Sequence, residues 1–242
     1  MNITQKTILI TGANRGVGRA LVEEALKRGA TRVYAGSRGA FQHPDKRVTP
    51  VTLDVTNPAE IQRVAGEVGA LDLLINNAGI ALFDDLSDPS FIEKHMAVNF
   101  HGPYRMTQAF LPRLVHAKGA ILNVLSLAAL APVPVTPAYS ISKAAAHSLT
   151  QTLRAYLAGR GVSVHAVLLG PVDTDMTRGF DIPKAAPADV ARGIFDGLER
   201  GEEDIFPDPV SQSLAEGWRN GVVKAFEHQF ASLLPPSVAS AA

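Results

Sequence analysis

The sequence predicts an α/β fold: one doubly wound domain over residues 1–242, with a parallel sheet and helices on both faces. Three observations predict it. Several short runs are apolar throughout rather than alternately apolar and polar, which indicates strands buried on both faces. These runs alternate with helical patterns along the chain, as in parallel strands joined by helices. A chain of 242 residues is also long enough to bury such a core.

The individual elements follow from apolar runs bounded by turn residues. The predicted strands are 7–11, 32–36, 48–55, 71–75, 120–126, 162–169 and 204–208. The predicted helices are 19–28, one opening at 57, an interrupted helix over 90–115, and helices over 138–159 and 187–201. The opening at 57 is well marked, because Asn57 can cap the helix, Pro58 suits its first turn and Glu60 completes a capping box.

Two segments depart from a regular alternation. The stretch from Ser37 to Arg47 is too short for a full crossover helix, so we expect a loop or a stub of helix there. Residues 211–234 predict a C-terminal helical extension, and we expect its apolar stripe to be buried against the domain or another subunit. The stripe consists of Leu214, Trp218, Val222, Phe226 and Phe230. In an alternative interpretation Trp218 helps to close a pocket. The tail over 235–242 is predicted to be disordered.

The composition excludes several functional classes. Lys and Arg total 23, as do Asp and Glu, so the chain has no excess positive charge for a nucleic-acid backbone. With no cysteine it has no disulfide, thiolate metal site or thiol nucleophile, and its seven histidines show no paired metal spacing. No charged-then-apolar leader or membrane-spanning run is present. We therefore expect a soluble cytoplasmic protein without metal, nucleic-acid or membrane partners.

The turn after the first predicted strand is rich in glycine. It has the sequence TGANRGVG over residues 11–18 and leads directly into a predicted helix. Glycine permits a sharp turn and lets backbone N–H groups approach a pyrophosphate at the positive end of that helix. The glycines at 12, 16 and 18 do not follow the usual G-x-G-x-x-G spacing, but the setting favours dinucleotide binding by a Rossmann-type sheet.

A tyrosine and a lysine lie one helical turn apart in AYSISKAAA, residues 138–146. A free phenol has a pKa of about 10, which is too high for a base at neutral pH. We expect the Lys143 ammonium to lower the pKa of Tyr139, so that the phenol can exchange a proton with a carbonyl or alcohol oxygen. Either residue alone is more simply explained as a packed tyrosine or a solvated lysine.

Five motifs together resemble the short-chain dehydrogenase/reductase family. In order they are TGANRGVG, NNAG (76–79), NFHG (99–102), Ser126 and YSISK (139–143), and Ser126 precedes Tyr139 by the 13 residues that the family uses. The resemblance extends over about residues 6 to 175. The chain departs from the family pattern at 168–170, where Leu-Leu-Gly replaces Asn-Pro-Gly, and in the short segment after Thr174.

The resemblance implies roles for particular residues. The implied catalytic residues are Asn99, Ser126, Tyr139 and Lys143. Among these, Tyr139 transfers the proton, Ser126 orients the carbonyl oxygen, Lys143 also holds the nicotinamide ribose, and Asn99 kinks its helix and anchors a water. The implied cofactor-binding residues are Gly12, Asn14, Arg15, Gly16, Val17, Gly18, Ser37, Arg38, Asp54, Val55, Asn76, Ala78, Gly79, Tyr139, Lys143, Gly170, Val172 and Thr174. Asp54 would accept from the adenine amino group, and Asn76 would lie near the adenine-side ribose.

The end of the second predicted strand favours NADP (NADPH) over NAD as the cofactor. NAD-binding proteins of this fold place an acidic residue there to hold the ribose 2′-hydroxyl. This chain has Ser37 followed by Arg38, and no acidic residue before Asp45. A hydroxyl and a guanidinium would bind a 2′-phosphate, and Arg15 could reach the same group.

These patterns predict an NADPH-dependent carbonyl reductase or alcohol dehydrogenase that transfers a hydride to a neutral, fairly apolar ketone or aldehyde. The alternative is a non-catalytic NADP(H)-binding sensor or scaffold. An apolar substrate pocket could be lined by Leu82, Phe83, Leu127, Leu130, Val133, Pro134, Val135 and Phe180. The resemblance also implies a homodimer or homotetramer formed through the helices at 91–115 and 138–159.

Overall fold

The protein is built on one parallel sheet. The computed structural model describes residues 1–234, and the strands in that range are β1 (Thr7–Thr11), β2 (Arg32–Ser37), β3 (Val48–Thr52), β4 (Leu73–Asn76), β5 (Ala120–Val124), β6 (Ser163–Val167) and β7 (Asp204–Ile205). Their order across the sheet is β3-β2-β1-β4-β5-β6-β7, and every neighbouring pair is parallel. The predicted α/β fold class is confirmed.

Helices cover both faces of the sheet. They are α1 (Gly16–Lys27), α2 (Pro58–Glu67), α3 (Ser90–Met96), α4 (Gly102–Ala117), α5 (Pro137–Ala158), α6 (Pro187–Glu199), α7 (Pro209–Arg219) and α8 (Val222–Ala231). Because successive strand residues point to opposite faces, Ile8 and Ile10 pack with α1 and α6, while Leu9 packs with α2, α4 and α5. None of the helices described within residues 1–234 is long and apolar enough to span a membrane.

The connectivity creates a crevice at the carboxyl edge of the sheet. Strand β4 follows β3 in the chain but lies on the other side of β1, so the strand order reverses between β1 and β4. Ligands of doubly wound sheets bind outside the carboxyl ends of the strands at such a reversal. The residues that follow β1 and β4 are Gly12 and Asn77, which therefore meet at this edge.

Most strands end earlier than the apolar runs predicted. Strand β3 ends at Thr52 and β5 at Val124, although the runs continue to 55 and 126. The next apolar residues, Leu53 and Leu125, still donate to carbonyls of neighbouring strands at 2.8 Å but also line the crevice, so apolarity alone does not separate sheet from crevice wall. No helix connects Ser37 to Val48 in the structure, as the short spacing predicted.

The C-terminal extension differs from the expectation in two ways. It forms two helices, α7 and α8, separated at Asn220-Gly221. The break falls at Gly221 because glycine has a low helix propensity. The expected burial of the stripe against the domain is wrong for Leu214, Val222, Phe226 and Phe230, which are exposed. Trp218 is partly buried. Burial of the stripe by another subunit stays a prediction, and the predicted disordered tail at 235–242 lies outside the described residues.

Candidate active site

The glycine turn brings β1 and the first turn of α1 into close contact. Gly12 and Gly16 both have positive φ, +65° and +53°, which side chains other than glycine rarely adopt. A Cβ on Gly18 would collide with the carbonyl oxygen of Gly12, and one on Gly12 would lie 2.9 Å from the Cα of Ala78. The three glycines therefore allow the strand, the helix and the segment after β4 to meet.

The N-terminus of α1 opens onto this turn. Arg15 precedes the helix in an extended conformation, and within residues 1–234 no side chain caps its first turn. The first N–H groups of a helix have no partners inside the helix and lie at its positive end. An anion such as a pyrophosphate would supply the missing acceptors.

A cleft of about 320 Å³ runs along the carboxyl edge of the sheet. Most of the predicted cofactor residues line it: Gly12, Asn14, Arg15, Gly16, Val17, Gly18, Ser37, Arg38, Asp54, Val55, Ala78, Gly79, Tyr139, Lys143 and Thr174. The structure thus brings the glycine turn, the end of β2, the segment after β3 and the Tyr139–Lys143 pair to one surface. Segments that are widely separated in the sequence form this single groove.

Three predicted cofactor residues do not lie on the wall. Asn76 is buried in the sheet, where its side-chain amide donates to Asn123 Oδ1 at 2.8 Å, and the next residue, Asn77, lines the cleft instead. Val172 is buried, and the Gly170 N–H donates to Asp208 Oδ2 at 2.8 Å behind the wall. Asn77 could have been found from the NNAG motif, in which neighbouring residues at a strand end point to different sides.

The end of β2 carries the residues predicted to recognise a 2′-phosphate. Ser37 is buried and its hydroxyl donates to the Gly39 carbonyl, while Arg38 is exposed beside it. Arg15 reaches across from the glycine turn and pairs with Asp175 at 2.9 Å. Asp175 was not predicted as a site residue, although it follows Thr174 directly and lines the cleft.

A π-helical turn, Ala97–His101, lies between α3 and α4. Such turns are frequent at functional sites, and this one carries Asn99, just before the interruption predicted at 102–103. The side-chain amide of Asn99 donates to the Ile80 carbonyl and to Ser142 Oγ, each at 2.9 Å, and its oxygen accepts from the Ile80 N–H at 2.9 Å. Asn99 is buried behind the wall, where it ties the segment after β4 to α5.

Tyr139 and Lys143 lie on the first two turns of α5. Tyr139 is partly exposed on the cleft, whereas Lys143 is buried and its ammonium donates to the Val124 carbonyl at 2.8 Å. The ammonium nitrogen lies 5.7 Å from the centroid of the Tyr139 ring. Ser126, at the start of a short 3₁₀ turn, accepts from the Ala128 N–H at 3.1 Å and lies within hydrogen-bonding reach of the Tyr139 phenol.

The expected net lowering of the Tyr139 pKa is wrong for this structure, in which that pKa is raised. Burial raises the pKa of the Tyr139 phenol, and the hydrogen bond with Ser126 lowers it by less. Burial also lowers the pKa of Lys143 to about 8. Both shifts have one cause, since a low-dielectric environment disfavours the charged form of each group. The Tyr139 phenol therefore keeps its proton at neutral pH and can act as an acid.

Gly79 keeps the space beside the ammonium open. A Cβ at this position would lie 3.3 Å from Asn99 Oδ1 and 3.7 Å from Lys143 Nζ. An ammonium carries three donors, and in the structure Lys143 uses one of them on a carbonyl. Donors that face an open cleft can bind the hydroxyl groups of a sugar. No group of three or more His, Asp or Glu within residues 1–234 is arranged to hold a metal ion.

Comparison with known proteins identifies relatives of this chain. Residues 6–184 match the family model described as short chain dehydrogenase. A solved structure of a short chain dehydrogenase from Burkholderia cenocepacia J2315, in complex with NADP, is 37% identical, with a TM-score of 0.86 over 97% of this chain and 100% of that one.

Two curated relatives differ in how much of their own length is matched. An uncharacterized oxidoreductase of Staphylococcus aureus is 32% identical, with 81% of this chain and 92% of the relative covered. Estradiol 17-beta-dehydrogenase 2 of Mus musculus is 34% identical over 74% of this chain, but the match spans about half, 51%, of the mouse protein.

Proposed function

This chain belongs to the short-chain dehydrogenase/reductase family, and we propose that it is an NADPH-dependent carbonyl reductase acting on a neutral, fairly apolar ketone or aldehyde. One observation carries the proposal. Tyr139 and Lys143 open onto the same cleft as the glycine turn, with Ser126 within reach of the phenol. A tyrosine that can donate a proton therefore lies on the wall of the groove that we propose binds the dinucleotide.

The chain's own residues fit a dinucleotide along this groove. The glycine turn and the uncapped N-terminus of α1 would hold the pyrophosphate. Asp54 and Val55 would flank the adenine, and Lys143, with Gly79 leaving space beside it, would hold the nicotinamide ribose. NADPH, when bound, supplies a hydride to a carbonyl carbon.

The protein residues would then manage the carbonyl oxygen and its proton. Ser126 donates a hydrogen bond that orients the oxygen, and Tyr139 transfers its phenolic proton to that oxygen as negative charge develops. The raised pKa of Tyr139 suits this direction, because the phenol is protonated before the reaction. Lys143 stabilises the phenolate that remains. Asn99 holds the backbone of the segment after β4 in place beside Lys143.

The preference for NADPH rests on Ser37 and Arg38, which take the place of the acidic residue that favours NAD. The Burkholderia relative contains NADP in its structure, which supports the same choice here. A charge-assisted hydrogen bond contributes about 1.5–3 kcal/mol, so we expect Arg38→Ala to weaken NADPH binding by about 10- to 100-fold. NADH binding should barely change. Parallel titrations of both cofactors test this, and equal losses for the two would contradict the assignment.

The same chain is proposed to act as a homo-oligomer through α4 and α5. These helices expose three large side chains, Tyr104, Ile141 and Tyr156, on the solvent side of one helical layer. Tyrosine is enriched at interfaces relative to the rest of a protein surface, which supports this pair of helices as the contact. Sedimentation at micromolar concentration should give a dimer or tetramer, and a monomer throughout would contradict the proposal.

The proposed reaction is tested with a panel of neutral ketones and aldehydes and with NADPH as reductant. We expect NADPH consumption and formation of the corresponding alcohols by the wild-type protein. Tyr139→Phe should bind NADPH within a few-fold of the wild type but lose turnover, because the phenyl ring keeps the packing and lacks the proton. NADPH binding without turnover on the whole panel would instead indicate a sensor or scaffold.

A further inference from the structure

Two phenylalanine rings meet on segments that continue from residues lining the candidate active site, Ile80 and Met176. The centroids of Phe83 and Phe180 lie 5.4 Å apart with the rings tilted by 31°. Phe83 comes from the segment after β4 and Phe180 from the segment after β6. Phe83 remains 64% exposed, although most large apolar side chains of this domain are buried. Exposed apolar surface beside a cleft is one of the features that mark ligand-binding grooves.

His95 fixes the first of these segments next to Tyr139. The Leu82 N–H can only donate, so the His95 Nε2 atom that it contacts at 3.0 Å is the acceptor. The proton therefore lies on Nδ1, which donates to the Phe91 carbonyl at 2.7 Å. The His95 ring packs edge-on against the Tyr139 ring, with centroids 6.3 Å apart. One buried histidine thus holds both the backbone beside Phe83 and the ring of the proton donor.

Asp84 supplies a second attachment on the other side of Phe83. Its Oδ2 accepts from the Ala138 N–H at 3.3 Å, one residue before Tyr139. Phe83 thereby lies between two anchored residues: Leu82 donates to His95 on α3, whose ring packs on Tyr139, and Asp84 accepts from the start of α5. The backbone on both sides of Phe83 is thus held beside the candidate acid.

Phe180 comes from the cofactor side of the cleft. It follows Thr174, Asp175 and Met176, all of which line the groove, and its N–H donates to the Thr177 carbonyl at 3.2 Å. The contact between the two rings therefore joins the segment beside Tyr139 to the segment that continues from the Thr174–Met176 wall of the groove.

We propose that Phe83 and Phe180 form an aromatic clasp that binds a planar aryl group attached to the substrate's carbonyl carbon, which makes aryl ketones the preferred substrate class. This proposal rests on the proposed reductase function. Aromatic rings pack favourably in offset or tilted contacts at centroid distances of 4.5–7 Å, so an aryl group can exchange the ring–ring contact for ring–substrate contacts.

The surroundings of the clasp disfavour an acidic substrate. Apolar side chains that remain exposed on the neighbouring segments are Leu82, Val133, Val135, Met176 and Ile182. The nearby guanidinium groups of Arg15 and Arg178 both pair with Asp175. Cations held by a carboxylate in this way are less able to bind an acidic substrate, whereas apolar surface is open to a neutral aryl group.

The experiment compares two neutral ketones of equal carbon number, acetophenone and cyclohexyl methyl ketone. We expect wild-type kcat/KM to favour acetophenone by roughly 3- to 10-fold, and Phe83→Leu or Phe180→Leu to bring the ratio close to one. Phe226→Leu is the matched control, because Phe226 and Phe230 form a pair of similar geometry on α8, with centroids 5.6 Å apart and a 32° tilt. That control should keep the wild-type ratio.

A ratio near one in the wild type, or a ratio that neither clasp variant changes, would overturn the clasp while ketone reduction itself still supported the proposed function. A shift in sedimentation of both clasp variants with an unchanged ratio would identify a subunit contact and also overturn it. If no ketone is reduced, the proposed function fails, and ligand-observed saturation-transfer NMR of acetophenone with NADP-saturated protein decides the clasp. Signal lost in Phe83→Leu and kept in Phe226→Leu supports the clasp, whereas signal kept in both overturns it.

Discussion

Two lysines of this protein are equally buried, yet their surroundings are opposite. Lys143 on α5 is 5% exposed and Lys224 on α8 is 6% exposed. The Lys143 ammonium contacts one carbonyl, and burial lowers its pKa to about 8. The Lys224 ammonium pairs with three carboxylates at 2.7–2.9 Å, and although burial opposes the charge, these partners raise its pKa.

The difference separates a candidate binding group, Lys143, from a structural one, Lys224. Around Lys224 the carboxylates are Glu203, Asp204 and Glu227, so its donors are fully used inside the protein. Asp204 also accepts from Arg154 and from the Trp218 indole, each at 2.8 Å, so this network joins α5, β7, α7 and α8. Lys143 carries the cost of burial without such compensation, which is typical of a group kept for a ligand.

The two helices that carry these lysines also differ in which side chains they bury and which they expose. Helix α5 buries small residues and exposes little besides Ile141 and Tyr156 among its large apolar side chains. Helix α8 turns its charged residues toward the domain and exposes Val222, Phe226 and Phe230. Ion pairs rather than apolar contacts therefore attach α8 to the rest of the domain. Its apolar outer face is left exposed by residues 1–234.

The largest expected effect is on activity in Lys143→Met. Met fills the volume but supplies neither the charge nor the donors, so we expect kcat/KM to fall by about 100- to 10,000-fold and NADPH binding to weaken. Its free energy of unfolding should stay level or rise, since the cost of burying the cation is removed. Steady-state kinetics and urea unfolding of the purified variant measure both. A variant that binds NADPH normally would restrict Lys143 to a role in proton transfer.

The matched substitution at Lys224 should have the opposite result, with stability lost and activity kept. Lys224→Met leaves three carboxylates near one remaining cation, Arg154, and breaking a buried ion pair costs about 3–5 kcal/mol. We expect a lower urea midpoint with kcat/KM within a few-fold of wild type, measured below the unfolding transition. Loss of activity in the folded variant would contradict the structural role of this network.

The pH dependence of the free energy of unfolding should also distinguish the two lysines, with a smaller effect than either substitution has. The pKa of Lys143 is about 8 in the folded protein and near 10.5 when unfolded, so between these values the folded protein holds fewer protons. Wild-type stability should therefore rise with pH relative to Lys143→Met in this window, which narrows the gap between them by up to about 1.4 kcal/mol per unit. Lys224, whose pKa is raised, contributes stability that is fully present below pH 10.5 and is lost only above it. A flat difference from pH 8 to 10 would contradict the lowered pKa.

The sequence predicts those parts that depend on local pattern. Buried strands, the glycine turn and the Tyr139–Lys143 spacing are each encoded within a few neighbouring residues. The periodicity of the C-terminal extension identifies an apolar stripe but not the side on which it lies. That side is set by Asp204 and Arg154, which come from distant elements and attract Lys224 and Glu227. The contact between Phe83 and Phe180 likewise joins two loops whose meeting depends on the whole fold.

The pKa of Tyr139 shows a further limit of sequence reasoning. The spacing to Lys143 indicates a favourable charge, but the raised pKa comes from enclosure by the cleft walls, which no local pattern reports. Asn76 and Asn77 illustrate the same point on a smaller scale. One of the two points into the sheet and the other into the cleft, and only the exact end of β4 decides between them.

The proposed reduction is tested most directly by following a hydride from the cofactor to the product. NADPH labelled with deuterium on both positions of nicotinamide C4 is incubated with the protein and the best ketone of the panel, and the alcohol is examined by mass spectrometry. Hydride transfer with Tyr139 as the acid predicts one deuterium on the carbinol carbon with wild-type protein, and no alcohol with a Tyr139→Phe variant that still binds NADPH. Unlabelled alcohol, or labelled alcohol formed equally by Tyr139→Phe, would contradict it.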